Sequence, residues 1–258
     1  MPQFATLALE VEGPRARLTL TRPDRLNALS PNMMSELISA AELLSGDRAI
    51  KVVSVRGAGR AFSAGFDLDA AAEGPVGERA DLGRQMADAV SHIPAVTIAA
   101  IHGHCVGGAL VLAAACDLRI ATHDTRFAIP EIDFGIPLAW GGIPRLVREL
   151  GPALTKELVL TCRPFSAQEA QAARFLNRVV AEDDLESEVD ALAGLLAAKP
   201  GFLIRQTKQH VDALVEEAYS TGQAFRDAAI TAAALQDEES RQAMGHYLEA
   251  RGRRGGET

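Results

Sequence analysis

Three short stretches of this 258-residue chain place groups capable of chemistry beside glycine or proline. Phe62-Ser63-Ala64-Gly65-Phe66-Asp67-Leu68 and Gly103-His104-Cys105-Val106-Gly107-Gly108-Ala109 are glycine-rich turns, each following an apolar run that reads as a strand. At such turns backbone N–H groups point outward without an intramolecular acceptor, and two converging on one oxygen form an oxyanion hole. Gly108 also opens a helical pattern, where the helix dipole favours negative charge. Spacing alone leaves a second reading open, in which glycine only relieves a tight turn. The third stretch, Ile129-Pro130-Glu131-Ile132-Asp133, offers a carboxylate that either carries protons or caps a turn. Asp133 serves as a second acid or as a surface residue, and the surface reading is preferred. Asp67 and Asp69 follow the first turn, where carboxylates commonly bond their own backbone.

Other chemistries lack their residues. Gly57-Ala58-Gly59 has Phe62 where a dinucleotide fingerprint needs its third glycine, and neither a G-x-x-x-x-G-K loop nor a G-x-S-x-G elbow is present. His102, His104, Cys105, Cys116 and His123 match no zinc spacing and read as packing residues. Three cysteines, Cys105, Cys116 and Cys162, are odd in number and lack C-x-x-C spacing, which points to a reducing compartment. With 26 Lys and Arg against 34 Asp and Glu, the formal charge is −8, which excludes a basic nucleic-acid-binding surface. Met1-Pro2-Gln3-Phe4-Ala5 has no secretory-signal pattern, and the longest uncharged stretch, Ile93 to Cys116, is broken by Pro94, Gly103, Gly107 and Gly108. The expectation is a cytoplasmic protein with no membrane span and no nucleic-acid partner.

The elements that must position these groups follow from periodicity. Leu7 to Val11 and Arg17 to Thr21 alternate around Gly13-Pro14 as a hairpin, and Ser30-Pro31 caps a helix with Met33, Leu37, Ala40, Ala41 and Leu44 on one face. Strands are expected at Lys51 to Val55, Val96 to Ile101 and Asp117 to Ala121, with helices at Glu78 to Ser91 and from Gly107-Gly108 through Ala115. Helical patterns dominate from Ile143 onward, with a capping box at Ser166 to Glu169 and three amphipathic helices near 201–217, 220–235 and 238–250. The tail from Arg251 to Gly256 reads as frayed.

Taken with Arg22-Pro23-Asp24-Arg25-Leu26-Asn27-Ala28-Leu29 and Ile129-Pro130-Glu131-Ile132-Asp133-Phe134-Gly135-Ile136-Pro137, the glycine turns resemble the enoyl-CoA hydratase/isomerase family, the crotonase superfamily. The similarity continues through Leu160 to Ala167 and into Met244, Tyr247, Leu248, Glu249 and Arg251, covering nearly the whole chain. It implies an α/β fold: a crotonase-like ββα spiral core over residues 1–195 that binds acyl-CoA and performs catalysis. A C-terminal helical region over 196–258 would mediate trimers, often paired into hexamers. The implied partner is an acyl-CoA thioester, with coenzyme A part of the substrate and no separate cofactor or metal. Carried over by position, the oxyanion donors are the N–H groups of Phe66 and Gly108, and Glu131 is the catalytic carboxylate. Arg25, Ala64, Asp67, Leu68, Val111 and Trp140 fall at substrate-binding positions. Arg22, Arg25, Arg56 and Arg60 cluster in sequence near segments expected to meet the nucleotide end.

One position departs from the family's hydratases, which flank a water with two glutamates. Glu131 supplies the second, but Val111 stands at the first, and valine neither donates nor accepts a proton. A single carboxylate suffices to shift a double bond, since it can remove a proton at one carbon and return it two carbons away. The expectation is therefore enoyl-CoA isomerase-type proton shuttling in fatty-acid metabolism. Hydration of trans-2-enoyl-CoA and noncatalytic acyl-CoA binding are the alternatives. Apolar walls would raise the Glu131 pKa.

Overall fold

The computed structural model describes residues 3–69 and 76–255. Strand β1 (Leu7–Glu12) pairs antiparallel with β2 (Arg15–Leu20), Leu7 opposite Leu20 and Glu12 opposite Arg15. Every second residue of β2, namely Ala16, Leu18 and Leu20, is buried, as a strand with one face on a core requires. In helix α1 (Pro31–Gly46), Ser30 Oγ accepts the Met33 N–H at 3.2 Å and proline occupies the first turn. The chain continues through β3 (Val52–Gly57), α2 (Val76–Ser91), β4 (Val96–Ile101), β5 (His104–Val106), α3 (Gly108–Ala114), β6 (Leu118–Thr122) and β7 (Arg126–Ala128). Then come α4 (Gly142–Thr161), β8 (Phe165–Ser166), α5 (Ala167–Ala172), β9 (Arg178–Val180) and α6 (Leu185–Ala197). Helices α7 (Gly201–Ala218), α8 (Asp227–Ala234) and α9 (Glu238–Gly255) complete it.

The main sheet runs β1-β2-β3-β4-β6-β9, parallel except for the first pair, and β5-β7-β8 form a smaller sheet beside it. Helices cover both faces of its centre, which is why β3 and β4 read as nearly uncharged runs. Val53, Val55, Ala99 and Ile101 face the large core that includes Leu37, Met86, Leu110 and Leu112. Val52, Ile98, Ala100 and Ile120 face Leu185, Val189 and Ala193 of α6. Arg56 shares that second face by strand alternation and pairs with Glu186, so it lies on the α6 side of the sheet and away from the glycine turns.

The expected elements recur with shifted bounds. β6 begins at Leu118 because the Asp117 carboxylate is held by the Thr97 N–H at 2.7 Å and the Thr97 hydroxyl at 3.0 Å. α4 is two segments joined at Gly151, whose φ of +76° precedes Pro152. α9 runs through Gly255, into the tail read as frayed, and 256–258 lie outside the described residues. The strands β5, β7, β8 and β9, three residues or fewer each, had no periodicity to announce them.

A buried ammonium helps to tie α7 to the core. Lys208 of α7 donates to Ile93 O at 2.8 Å, Ala95 O at 3.1 Å and Asp117 Oδ2 at 2.7 Å. Asp117→Ala strands that cation, and urea unfolding is expected to show a loss of about 3 kcal/mol, typical of breaking a buried pair. A change below about 0.5 kcal/mol, the range of ordinary surface substitutions, would refute the role of this anchor.

Candidate active site

The first glycine turn is shaped by Asn27, fully buried at a φ of +52°, a conformation asparagine tolerates better than most residues. Its Oδ1 accepts the Arg22 N–H at 3.0 Å, and its Nδ2 donates to Ala58 O and Ala61 O at 2.8 Å each. Ser63 Oγ donates to Asn27 O at 2.8 Å and accepts the Gly65 N–H at 3.1 Å. Ala64 N–H is spent on Leu26 O at 2.9 Å and Asp67 N–H on Leu29 O at 3.2 Å. Between them, the Phe66 N–H meets no acceptor among the described residues.

The second turn lies against the first. Val106 N–H donates to Ser63 O at 3.3 Å, and a Cβ on Gly65 would stand 2.3 Å from Val106 O and 3.3 Å from the Gly108 nitrogen. Only glycine, here at φ +84°, permits that approach. Gly108 is the first residue of α3, and its N–H likewise has no acceptor among the described residues. Two free N–H groups on abutting backbones, one at a helix N-terminus, are disposed to receive an anionic oxygen.

Glu131 sits in a tight turn in which Phe134 and Ile136 N–H both donate to Glu131 O at 3.0 Å. The residue is only 8 % exposed, and its carboxylate packs on Gly107, where a Cβ would lie 2.3 Å from Oε1. Oε2 has no hydrogen-bond partner among the described residues. Burial pushes the carboxyl pKa up to about 7, weakly opposed by the residue's own backbone N–H. A carboxyl with that pKa can both take and return a proton near neutrality.

Phe66, Gly108 and Glu131 open on one cavity of about 280 Å³. Its walls are otherwise almost entirely apolar: Val111, Leu138 and Trp140 on one side, Leu235, Met244 and Leu248 on another. Among the described lining residues Glu131 is the one carboxylate, and Thr231 and Tyr247 are the other polar side chains. Trp140 stands edge-on to Phe66, with ring centroids 5.9 Å apart.

The structure thus brings together Phe66, Gly108, Val111, Glu131, Leu68 and Trp140. Arg25, Ala64 and Asp67 lie outside the cavity lining. Arg25 is exposed and paired with Asp69, while Asp67 is buried, meets Arg22 at 2.8 Å and accepts the Asp69 N–H at 3.2 Å. Asp133 is exposed and does not line the cavity. Cys105 and Cys116 are buried thiols, Cys116 pushed up to about 12 by burial and by Asp117, which makes neither a nucleophile. Among the described residues no group of three or more His, Cys, Asp or Glu could hold a metal. Sequence reasoning assigned α8 and α9 to assembly and missed them as a cavity wall. The spacing of Met244, Tyr247 and Leu248, one helical face, was the available signal.

The raised pKa has a sign that stability measurements can read. Glu131 ionises near 4.5 when unfolded and near 7 when folded, so its contribution is full below about 4.5 and lost as pH rises through about 7. Glu131→Gln removes that loss. The variant is expected to gain on wild type by about 3 kcal/mol between pH 4 and pH 8 in denaturant unfolding, and a pH-independent difference would sink the assignment.

Residues 13–254 match the family described as enoyl-CoA hydratase/isomerase. A Mycobacterium tuberculosis relative named "Probable enoyl-CoA hydratase" is 32% identical over 259 aligned residues, covering 96% of each chain. The solved enoyl-CoA hydratase/isomerase of Xanthobacter autotrophicus Py2 superposes with a TM-score of 0.83 at 33% identity, covering 96% of this chain and 99% of that one. A Thermobifida fusca YX protein solved in complex with CoA superposes with a TM-score of 0.76 at 31% identity, covering 89% and 93%. The crotonase-like α/β fold with its C-terminal helical region is therefore shared.

Proposed function

This chain belongs to the enoyl-CoA hydratase/isomerase family, and from that premise we propose that it is an enoyl-CoA isomerase in which Glu131 alone shuttles the proton. The thioester carbonyl oxygen is received by the N–H groups of Phe66 and Gly108. The Glu131 carboxylate takes a proton from C2 of a 3-enoyl thioester, and the electron pair delocalises onto the carbonyl oxygen as a dienolate. The protonated Glu131 then delivers the same proton to C4, leaving the double bond between C2 and C3. One C–H bond breaks, one forms, and no water enters. Each oxyanion donor is worth about 3 kcal/mol in such a transition state.

The observation that carries this reading is the single buried carboxylate, with one oxygen unpartnered, in a cavity whose α3 wall is Val111. Hydration is the second reading, favoured by the names of the relatives, and it requires an acid other than a carboxylate among the described lining residues. The complex of the Thermobifida fusca protein supports a CoA ester as ligand. Gly59 packs on Pro23, so exposed Arg60 and Arg25 stand on neighbouring loops and are suited to the nucleotide phosphates. Coenzyme A then arrives as part of the substrate and no other cofactor is called for. Assembly into trimers or hexamers through the C-terminal helices belongs to the same reading. It is supported by α7, which exposes Phe202, Leu203, Val211 and Leu214. So does a cytoplasmic location; among the described residues no helix is long and apolar enough to cross a membrane.

Offered 3-enoyl-CoA, the protein is expected to generate the conjugated 2-enoyl chromophore; offered trans-2-enoyl-CoA in water, it is expected to leave that absorbance nearly unchanged. Loss of the chromophore to a 3-hydroxy product would establish hydration instead, and turnover of neither ester with intact binding would leave an acyl-CoA-binding protein. Glu131→Gln should lower kcat by about 10² to 10⁴-fold, the usual worth of a positioned base, with CoA-ester affinity retained. Because the base must be ionised, kcat/KM should rise with pH and level off above about 7.

A further inference from the structure

One side chain closes the cavity between α2 and α3. A Cβ on Gly108 would lie 2.2 Å from Trp140 Cζ3, and a Cβ on Gly83 of α2 would lie 2.2 Å from Cε2 and 2.3 Å from Nε1. The indole is therefore inserted between two glycines on neighbouring helices, in a slot that only hydrogens at both positions leave open. Its backbone is at φ +63°, unfavourable for a bulky residue and maintained only where the surroundings impose it. They do so here from both sides. Gly141 N–H donates to Asp227 Oδ2 at 2.8 Å. The buried Arg145 donates to Trp140 O at 3.4 Å, to Gly141 O at 3.3 Å and to Asp88 Oδ1 of α2 at 2.7 Å.

The ring so fixed touches Gly108 and faces Phe66 edge-on. These are the two residues whose N–H groups receive the thioester oxygen in the reading above, so the indole flanks the first carbons of the acyl group. On the far side the cavity is bounded by Leu235, Met244, Tyr247 and Leu248, which include the unbranched and adaptable methionine. We infer that Trp140, locked in the Gly83–Gly108 slot, is a specificity-determining residue that admits acyl groups unbranched beside the thioester and turns the remaining chain toward α9. This rests on the acyl-CoA reading and adds the substrate class to it. A methyl branch at C2 competes for volume with an indole that cannot swing aside, whereas added length meets a wall that can adjust.

The test uses unreactive esters, so that chemistry does not enter. Calorimetric titration of wild type is expected to show butanoyl-CoA bound about tenfold or more tightly than 2-methylpropanoyl-CoA, the scale on which a rigid apolar pocket discriminates one misplaced carbon. In Trp140→Ala the two affinities should come within about threefold of each other. The ratio is the readout, because a general loss of packing weakens both esters alike. Trp140→Leu, which keeps more of the core, should give an intermediate ratio and covers the case in which alanine prevents folding. Gly83→Ala should weaken both esters by driving a methyl into the indole, and Gly83→Ala combined with Trp140→Ala should recover them. The same ratio in wild type and in the Trp140 variants overturns the inference. Equal, tight binding of both esters to wild type overturns it while leaving the acyl-CoA reading in place; binding of neither overturns both.

Discussion

The structure turns on one costly arrangement, a carboxyl group buried without a cation and with one oxygen unpaired. An isolated ionised carboxylate in an apolar enclosure is penalised by several kcal/mol, and the group responds by shifting its pKa rather than by staying charged. Glu131 therefore sits near neutrality because nothing compensates it. Elsewhere in the molecule buried charges are matched: Arg119 with Glu149, Arg145 with Asp88, Lys208 with Asp117. The contrast sets an uncompensated carboxyl apart from charges that hold the architecture together.

The remaining features follow from keeping that carboxyl dry on the same cavity as two free N–H groups. The Glu131 turn is tightened by two N–H bonds to its own carbonyl, and its side chain has nowhere to rest but on Gly107, the residue before the donor Gly108. The first turn is held against the second while Ser63 Oγ, Leu26 O and Leu29 O take up the N–H groups of Gly65, Ala64 and Asp67, and Asn27 braces the loop behind them. What is left over, two N–H groups, faces the same cavity as the base. Among the described residues the other buried side-chain atom without a hydrogen-bond partner is Arg56 Nε, on a guanidinium paired with Glu186, whereas the unpaired Glu131 oxygen belongs to a carboxyl with no cation beside it.

The parts of this arrangement differed in how plainly the chain announced them. The β1–β2 hairpin, α1 with its Ser30 cap, and the buried β3 and β4 were legible because each depends on local periodicity and local capping. The glycine turns and the Pro130-Glu131 turn stood out by composition, and the missing partner of Glu131 by the valine at 111. Residue type also pointed at Arg25 and Asp67, but not at their ion pairs, with Asp69 on the surface and with Arg22 in the interior. Long-range pairing of that kind has no local signature. The same is true of Gly83, an unremarked residue inside a helix until an indole from 57 positions downstream is found resting on it. β5, β7 and β8 were invisible for a related reason: strands of two or three residues exist only because the main sheet and the turns bring their edges together.

The wall contributed by Thr231, Leu235, Met244, Tyr247 and Leu248 is drawn from α8, α9 and the turn between them, far along the chain from the Glu131 turn that it covers. The shift of the Glu131 carboxyl comes from burial, so it depends on that wall staying packed. α9 is held against the Glu131 turn in part by Tyr247, whose ring centroid lies 3.9 Å from that of Phe134. The proton affinity of Glu131 is thus a property of the closed wall as much as of the turn that carries the residue.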